Sequence, residues 1–112
     1  MPEKRSHPRK ICNSRIDILD VESNEFIGTL VNISTSGFMM ITEKALPENY
    51  VFQFQIVFAP GSTESHSIQL GAESLWVQEM EGSDQRWIGF HVIDISDRDK
   101  ATISSLIGDW RV

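Results

Sequence analysis

A single cysteine, Cys12, stands in the 112-residue chain, so no disulfide can form within it and a reducing compartment is expected. No group of cysteines and histidines has the spacing of a zinc site, which needs about four converging nitrogen and sulfur ligands. No apolar run approaches the roughly 20 residues that span a bilayer. The opening Met1-Pro2-Glu3-Lys4-Arg5 is not followed by the apolar core of a signal peptide. The expectation is a cytoplasmic protein without membrane insertion. Proline and glycine are sparse, four and seven residues, which argues against low complexity, and no internal repeat is visible.

Positive charge is also short. Ten Lys and Arg stand against 16 Asp and Glu, for a formal net of −6. The balance is uneven, because residues 1–10 carry Lys4, Arg5, Arg9 and Lys10 against Glu3, a local +3 that leaves −9 for the rest of the chain. A binder of polymeric nucleic acid needs a broad basic footprint, and a body this acidic repels a phosphate backbone. A small anion held by one basic arm is compatible with the same numbers.

What is present is mostly strand pattern. Segments Ser14 to Val21, Phe26 to Ile33, Phe38 to Ile41, Tyr50 to Phe58, His66 to Gln78 and Gln85 to Asp94 have strand character, separated by turn-rich stretches. Alternation places Phe52, Phe54, Ile56 and Phe58 on one face, and Ile68, Leu70, Ala72 and Trp76 on one face of the next strand. Gly28 interrupts its strand as a bulge or a site of close approach. Glu22 to Glu25 reads as a turn, Ala59 to Ser65 as a Pro-Gly loop, and the acidic run Glu79 to Asp84 as a solvated hairpin loop. The period then changes: Ser96 is a good N-cap, Asp97 and Asp99 suit a first helical turn, and Ile103, Leu106 and Ile107 form a stripe closed by Gly108. The fold class is mainly β, a small antiparallel barrel of about six strands with a C-terminal helix packed across it. A chain of this length suits one domain that buries roughly 65% of its unfolded surface.

Two motifs carry chemistry. Arg5-Ser6-His7-Pro8-Arg9 sets two arginines four residues apart in a stretch that Pro8 keeps extended. Four extended residues span about 13–14 Å, so two guanidinium forks can grip different parts of one nucleotide-sized ligand. Asn32-Ile33-Ser34-Thr35-Ser36-Gly37 is, on its own, an ordinary turn between strands. As a site it offers the Asn32 amide as donor and acceptor, the Ser34 hydroxyl, and a Gly37 backbone that tolerates positive φ. His66 and His91 have no carboxylate or cysteine partner at catalytic spacing, so no triad can be assembled and no enzymatic activity is expected.

An RxxxR arm followed at this distance by NxSxxG resembles the ligand-binding signature of the PilZ family, bacterial receptors for cyclic di-GMP, and Gln85-Arg86-Trp87-Ile88-Gly89-Phe90 resembles that family's last-strand pattern. The resemblance covers nearly the whole chain and implies the PilZ barrel. It divides the sequence into a flexible basic arm, residues 1–12, and a barrel with its helix, residues 13–112. It implies cyclic di-GMP as ligand, no other cofactor and no metal. Arg5 and Arg9 would take phosphates and guanine bases, and Asn32, Ser34 and Gly37 would form the second half of the site. Lys4, directly before the first arginine, occupies a position that influences whether one ligand or an intercalated pair binds. Trp76 lies near a strand from which a tryptophan approaches the base in some relatives, although its bland reading is core or strand-edge packing. The implied function is a receptor whose arm orders on the ligand and which signals to an unidentified effector protein, since no output domain is attached. Two alternatives remain: a PilZ-like structural or assembly protein of the kind found in type IV pilus biogenesis, and a small barrel for single-stranded nucleic acid, against which the acidic body counts.

Overall fold

A computed structural model describes residues 10–11, 15–58 and 66–108, with side chains over 15–58 and 66–105. The N-terminal arginine pair and Lys4, the loop Ala59 to Ser65 and the side chains at 106–108 lie outside the described residues.

Among the described residues seven strands and one helix follow in order: β1 (Lys10–Ile11), β2 (Ile16–Asp20), β3 (Phe26–Ile33), β4 (Gly37–Thr42), β5 (Val51–Phe58), β6 (His66–Glu79), β7 (Arg86–Ile95) and α1 (Asp97–Gly108). All pairings are antiparallel, in the order β1-β3-β2-β5-β6-β7-β4, and β4 returns to pair with β3. That last pairing closes six strands into a barrel, as the regular strand spacing predicts, and leaves β1 as a two-residue addition on β3. Closure removes most of the unpaired edge that an open sheet of this size would expose.

The β2–β3 turn shows how the local sequence starts the ring. The Asp20 carboxylate accepts bonds from the Ser23 amide, the Ser23 hydroxyl and the Glu22 amide, which together hold its carboxyl below the usual carboxylate range. Asn24 takes the positive φ, 59°, that ends the turn. Beyond it the pairing shifts register between Ile18 and Leu19, which are opposite Gly28 and Phe26, leaving Ile27 as the extra residue. Gly28 beside this bulge has no room for a side chain: a Cβ there would overlap the Ile41 carbonyl oxygen and stand 2.9 Å from the Met40 sulfur. Both sequence readings of Gly28 therefore hold.

Alternation fills the interior as expected. Phe54, Ile56 and Phe58 of β5 and Ile68, Leu70 and Ala72 of β6 are all buried. Phe38 stacks on its cross-strand partner Phe90 at 4.8 Å between ring centroids, and Phe54 meets Phe90 edge-on at 5.3 Å. Phe52 stacks on Phe54 at 5.3 Å, so four aromatic rings from β4, β5 and β7 form one cluster inside the barrel. The helix is capped as its sequence indicates, the Asp99 amide donating to the Ser96 hydroxyl at 3.1 Å. The Asp99 carboxylate in turn accepts from the Gln69 amide of β6, and Ile103 is fully buried, which docks α1 on the barrel.

Trp76 departs from the alternation. The period of two groups it with Ile68, Leu70 and Ala72, yet it is 39% exposed. The cause is a β-bulge: Ser74 pairs with Phe90 and Trp76 with Gly89, so Leu75 is an unmatched residue that reverses the facing of everything after it. Val77 becomes the inward residue and Trp76 points out. A second bulge, between Leu30 and Asn32 on β3, does the same around Val31: Leu30 and Ile33 face in, and Asn32 faces out.

The aromatic cluster sets an expectation for stability. Phe54→Ala removes a ring that is 1% exposed and packed against three others, and is expected to cost about 3–5 kcal/mol. A urea titration checks this through a lowered midpoint at unchanged slope.

Candidate functional site

The turn between β3 and β4 is built by one hydroxyl. Ser34 is fully buried. Its Oγ accepts from the Gly37 amide at 3.2 Å and the Ser36 amide at 3.3 Å, and lies 3.2 Å from both the Gly37 carbonyl and the Ser36 hydroxyl. The Ser34 amide donates to the same Gly37 carbonyl at 2.8 Å. In this arrangement the hydroxyl is spent on the turn. The Ser36 carbonyl also accepts from the Val92 amide at 2.9 Å, which fastens the turn to β7.

Gly37 is needed for a reason other than the one its sequence suggests. Among the described residues the only glycine with positive φ is Gly82, at 76°. At residue 37 the constraint is proximity: a Cβ there would stand 2.5 Å from the Phe90 carbonyl oxygen. Any side chain would wedge β4 away from β7 at the turn.

On the outer face the register assembles a single row. Asn32 pairs with Met39, Met39 with Gly89, and Gly89 with Trp76. The flanking residues Phe38, Met40, Ile88 and Phe90 are all buried, so the row itself faces away from the core. Three strand spacings separate its ends, about 14 Å. Trp76 covers Gly89: a Cβ at residue 89 would overlap the indole Nε1 and Cε2 and stand 2.6 Å from Cζ2. No member of the row is charged.

The row extends one strand further. Ile11 pairs with Asn32, and Lys10 with Ile33. These two residues, which the sequence assigns to the arm, are therefore fixed to the strand that carries Asn32. The structure thus places Asn32 and Trp76 at opposite ends of one row across β3, β4, β7 and β6, with Ser34 and Gly37 in the turn that follows Asn32. Lys4, Arg5 and Arg9 are outside the described residues.

The PilZ domain model matches residues 3–109, almost the full chain. The protein belongs to the PilZ domain family. Solved structures agree with the fold. The Escherichia coli YcgR complex with c-di-GMP superposes with a TM-score of 0.72 at 14% identity over 96% of this chain and 46% of that one. The PilZ domain of Escherichia coli YcgR with c-di-GMP gives 0.65 at 16% identity over 96% and 91%. The Bacillus subtilis inhibitor of motility MotI/DgrA gives 0.67 at 15% identity over 96% and 51%. The chain thus spans about half the length of YcgR and MotI/DgrA. No curated protein matches the sequence.

Sequence reasoning missed Met39 and Gly89. Met39 looks like core filling beside Met40, and Gly89 like a family-pattern residue without a task. The PilZ last-strand pattern was the one signal pointing at Gly89, since a glycine inside a strand marks close approach by another group. Among the described residues no three His, Cys, Asp or Glu side chains gather as a metal site would require. Among them, too, no helix is long and apolar enough to cross a membrane.

The turn chemistry is testable without ligand. Ser34→Ala removes the acceptor used by the Ser36 and Gly37 amides in a buried setting and is expected to cost about 1–3 kcal/mol. Amide hydrogen exchange should quicken at Ser36 and Gly37, while Ser34→Thr, which keeps the hydroxyl, should lose less.

Proposed function

We propose that this PilZ domain is a receptor for cyclic di-GMP, with no enzymatic activity of its own, that works in the cytoplasm and passes its signal to a partner protein. The observation that carries the reading is the pairing of Lys10 and Ile11 with Ile33 and Asn32, because it ties the segment bearing the arginines to the strand bearing the turn motif. Both structures of Escherichia coli YcgR are complexes with c-di-GMP, which supports the same ligand class.

Charge explains why both halves are required. The outer row of Asn32, Met39, Gly89 and Trp76 is neutral, so it can meet a base but cannot balance two phosphates. Arg5 and Arg9 supply planar cationic forks suited to phosphate oxygens and to the O6/N7 edge of guanine, and Lys4 adds a third positive charge. Asn32 contributes donor and acceptor to a base edge, while Ser34 and Gly37 hold the turn that aims it. Closing the arm over the row gives a route for transduction, since the covered surface differs from the open one.

Titration calorimetry tests the reading. Cyclic di-GMP is expected to bind, and Arg5→Ala and Arg9→Ala should each weaken binding by about 1–3 kcal/mol, roughly 5- to 150-fold, with unfolding midpoints unchanged. In the same buffer cyclic di-AMP, which presents an amino group where guanine presents a carbonyl, should bind far more weakly. No heat with cyclic di-GMP, or equal affinity for both dinucleotides, would overturn the assignment.

A further inference from the structure

Gly89 sits in the middle of the outer row with nothing of its own to offer a ligand. Its importance lies in what occupies its place. The indole of Trp76 fills the position where a Cβ would stand, so the ring rests against the β7 backbone. Beneath that backbone the Phe38 and Phe90 rings stack at 4.8 Å and keep β4 and β7 in fixed register. The indole therefore has a rigid seat on one side, and at 39% exposure it keeps surface open to solvent on the other.

The bulge at Leu75 aims Trp76 outward and the bulge at Val31 aims Asn32 outward, so the two end in one row about 14 Å apart. A purine presents two kinds of surface, a hydrogen-bonding edge and a flat π face. The amide of Asn32 suits the first and the indole of Trp76 the second. Met39, between Asn32 and Gly89, is neutral and polarizable and leaves the path between them apolar.

We propose that Gly89 is a positioning residue for this site: by lacking a side chain it seats the Trp76 indole flat against β7 as a stacking platform for one purine face of the ligand. This rests on the cyclic di-GMP reading for the identity of the ligand, but not for the seating of the ring. The competing role is structural only, an aromatic side chain covering a glycine within a strand to protect the sheet. Such a role would lower stability on substitution and leave binding alone.

A double-mutant cycle read by calorimetry with cyclic di-GMP separates the two. Trp76→Ala is expected to weaken binding about tenfold, the range for loss of one base–aromatic stack. Gly89→Ala should weaken it by a similar factor, because the new methyl overlaps an exposed ring that can swing out into water. The double variant should bind no more weakly than Trp76→Ala alone, since Gly89 acts only through the indole. Wild-type affinity in either single variant, or losses that multiply in the double variant, would overturn the proposal. If Gly89→Ala does not fold, the double variant, in which the overlap is absent, takes its place beside Trp76→Ala. Trp76 emission without ligand gives an independent readout. It should shift to longer wavelength in Gly89→Ala, and the shift should vanish in Gly89→Ala with Trp76→Phe. Should the wild type fail to bind cyclic di-GMP, the proposed function falls, while the emission shift still decides whether Gly89 seats the ring.

Discussion

Pairing of β3 with β4 is the interaction on which the rest of the molecule depends. Without it the chain would be an open sheet with Phe26–Ile33 at one side and Gly37–Thr42 at the other, each exposing a row of unpaired backbone groups. With it, six strands close around one cluster of phenylalanines, isoleucines and leucines. Closure in so small a ring requires strongly bent and twisted strands, and the bulges on β3, β6 and β7 supply that bending. Each bulge leaves one residue unmatched, so the facing of the strand reverses beyond it.

Two of those reversals make the outer surface what it is. Asn32 and Trp76 would both point into the core of an unbulged barrel, where an unmatched amide and an indole would be costly to bury. The reversals put them outside, at opposite ends of one cross-strand row, with the stacked Phe38 and Phe90 on the inner side of the same strands. Close approach then does the rest. Gly37 lets β4 come against the Phe90 carbonyl at the turn, and Gly89 gives the Trp76 ring a seat. The rigidity of the site is thus inherited from the core beneath it.

The division of labour between barrel and arm follows from charge. The whole acidic excess lies in the barrel, which offers a neutral row, while four basic residues, at 4, 5, 9 and 10, stand in one short stretch. In the proposed receptor the arm attracts a phosphate-bearing ligand and the barrel recognises it. Ser34 shows that a motif residue can serve its own turn: its hydroxyl is buried among the amides of that turn.

The sequence by itself determined the strands, the helix cap and the motif pair. Alternating burial on β5 and the first half of β6, the Ser96 cap and the turn at Asp20 are local properties, written in neighbouring residues and readable without a fold. The facing of Trp76, the close-packed role of Gly37 and the task of Gly89 were decided only by tertiary structure. Bulge positions depend on which strands pair and in what register, and a period-two pattern carries no mark of where one unmatched residue will reset it. Glycines constrained by contact, rather than by φ, likewise reveal their reason only when the group that approaches them is in place: for Gly37 the Phe90 carbonyl, for Gly89 an indole thirteen residues earlier in the chain and one strand away.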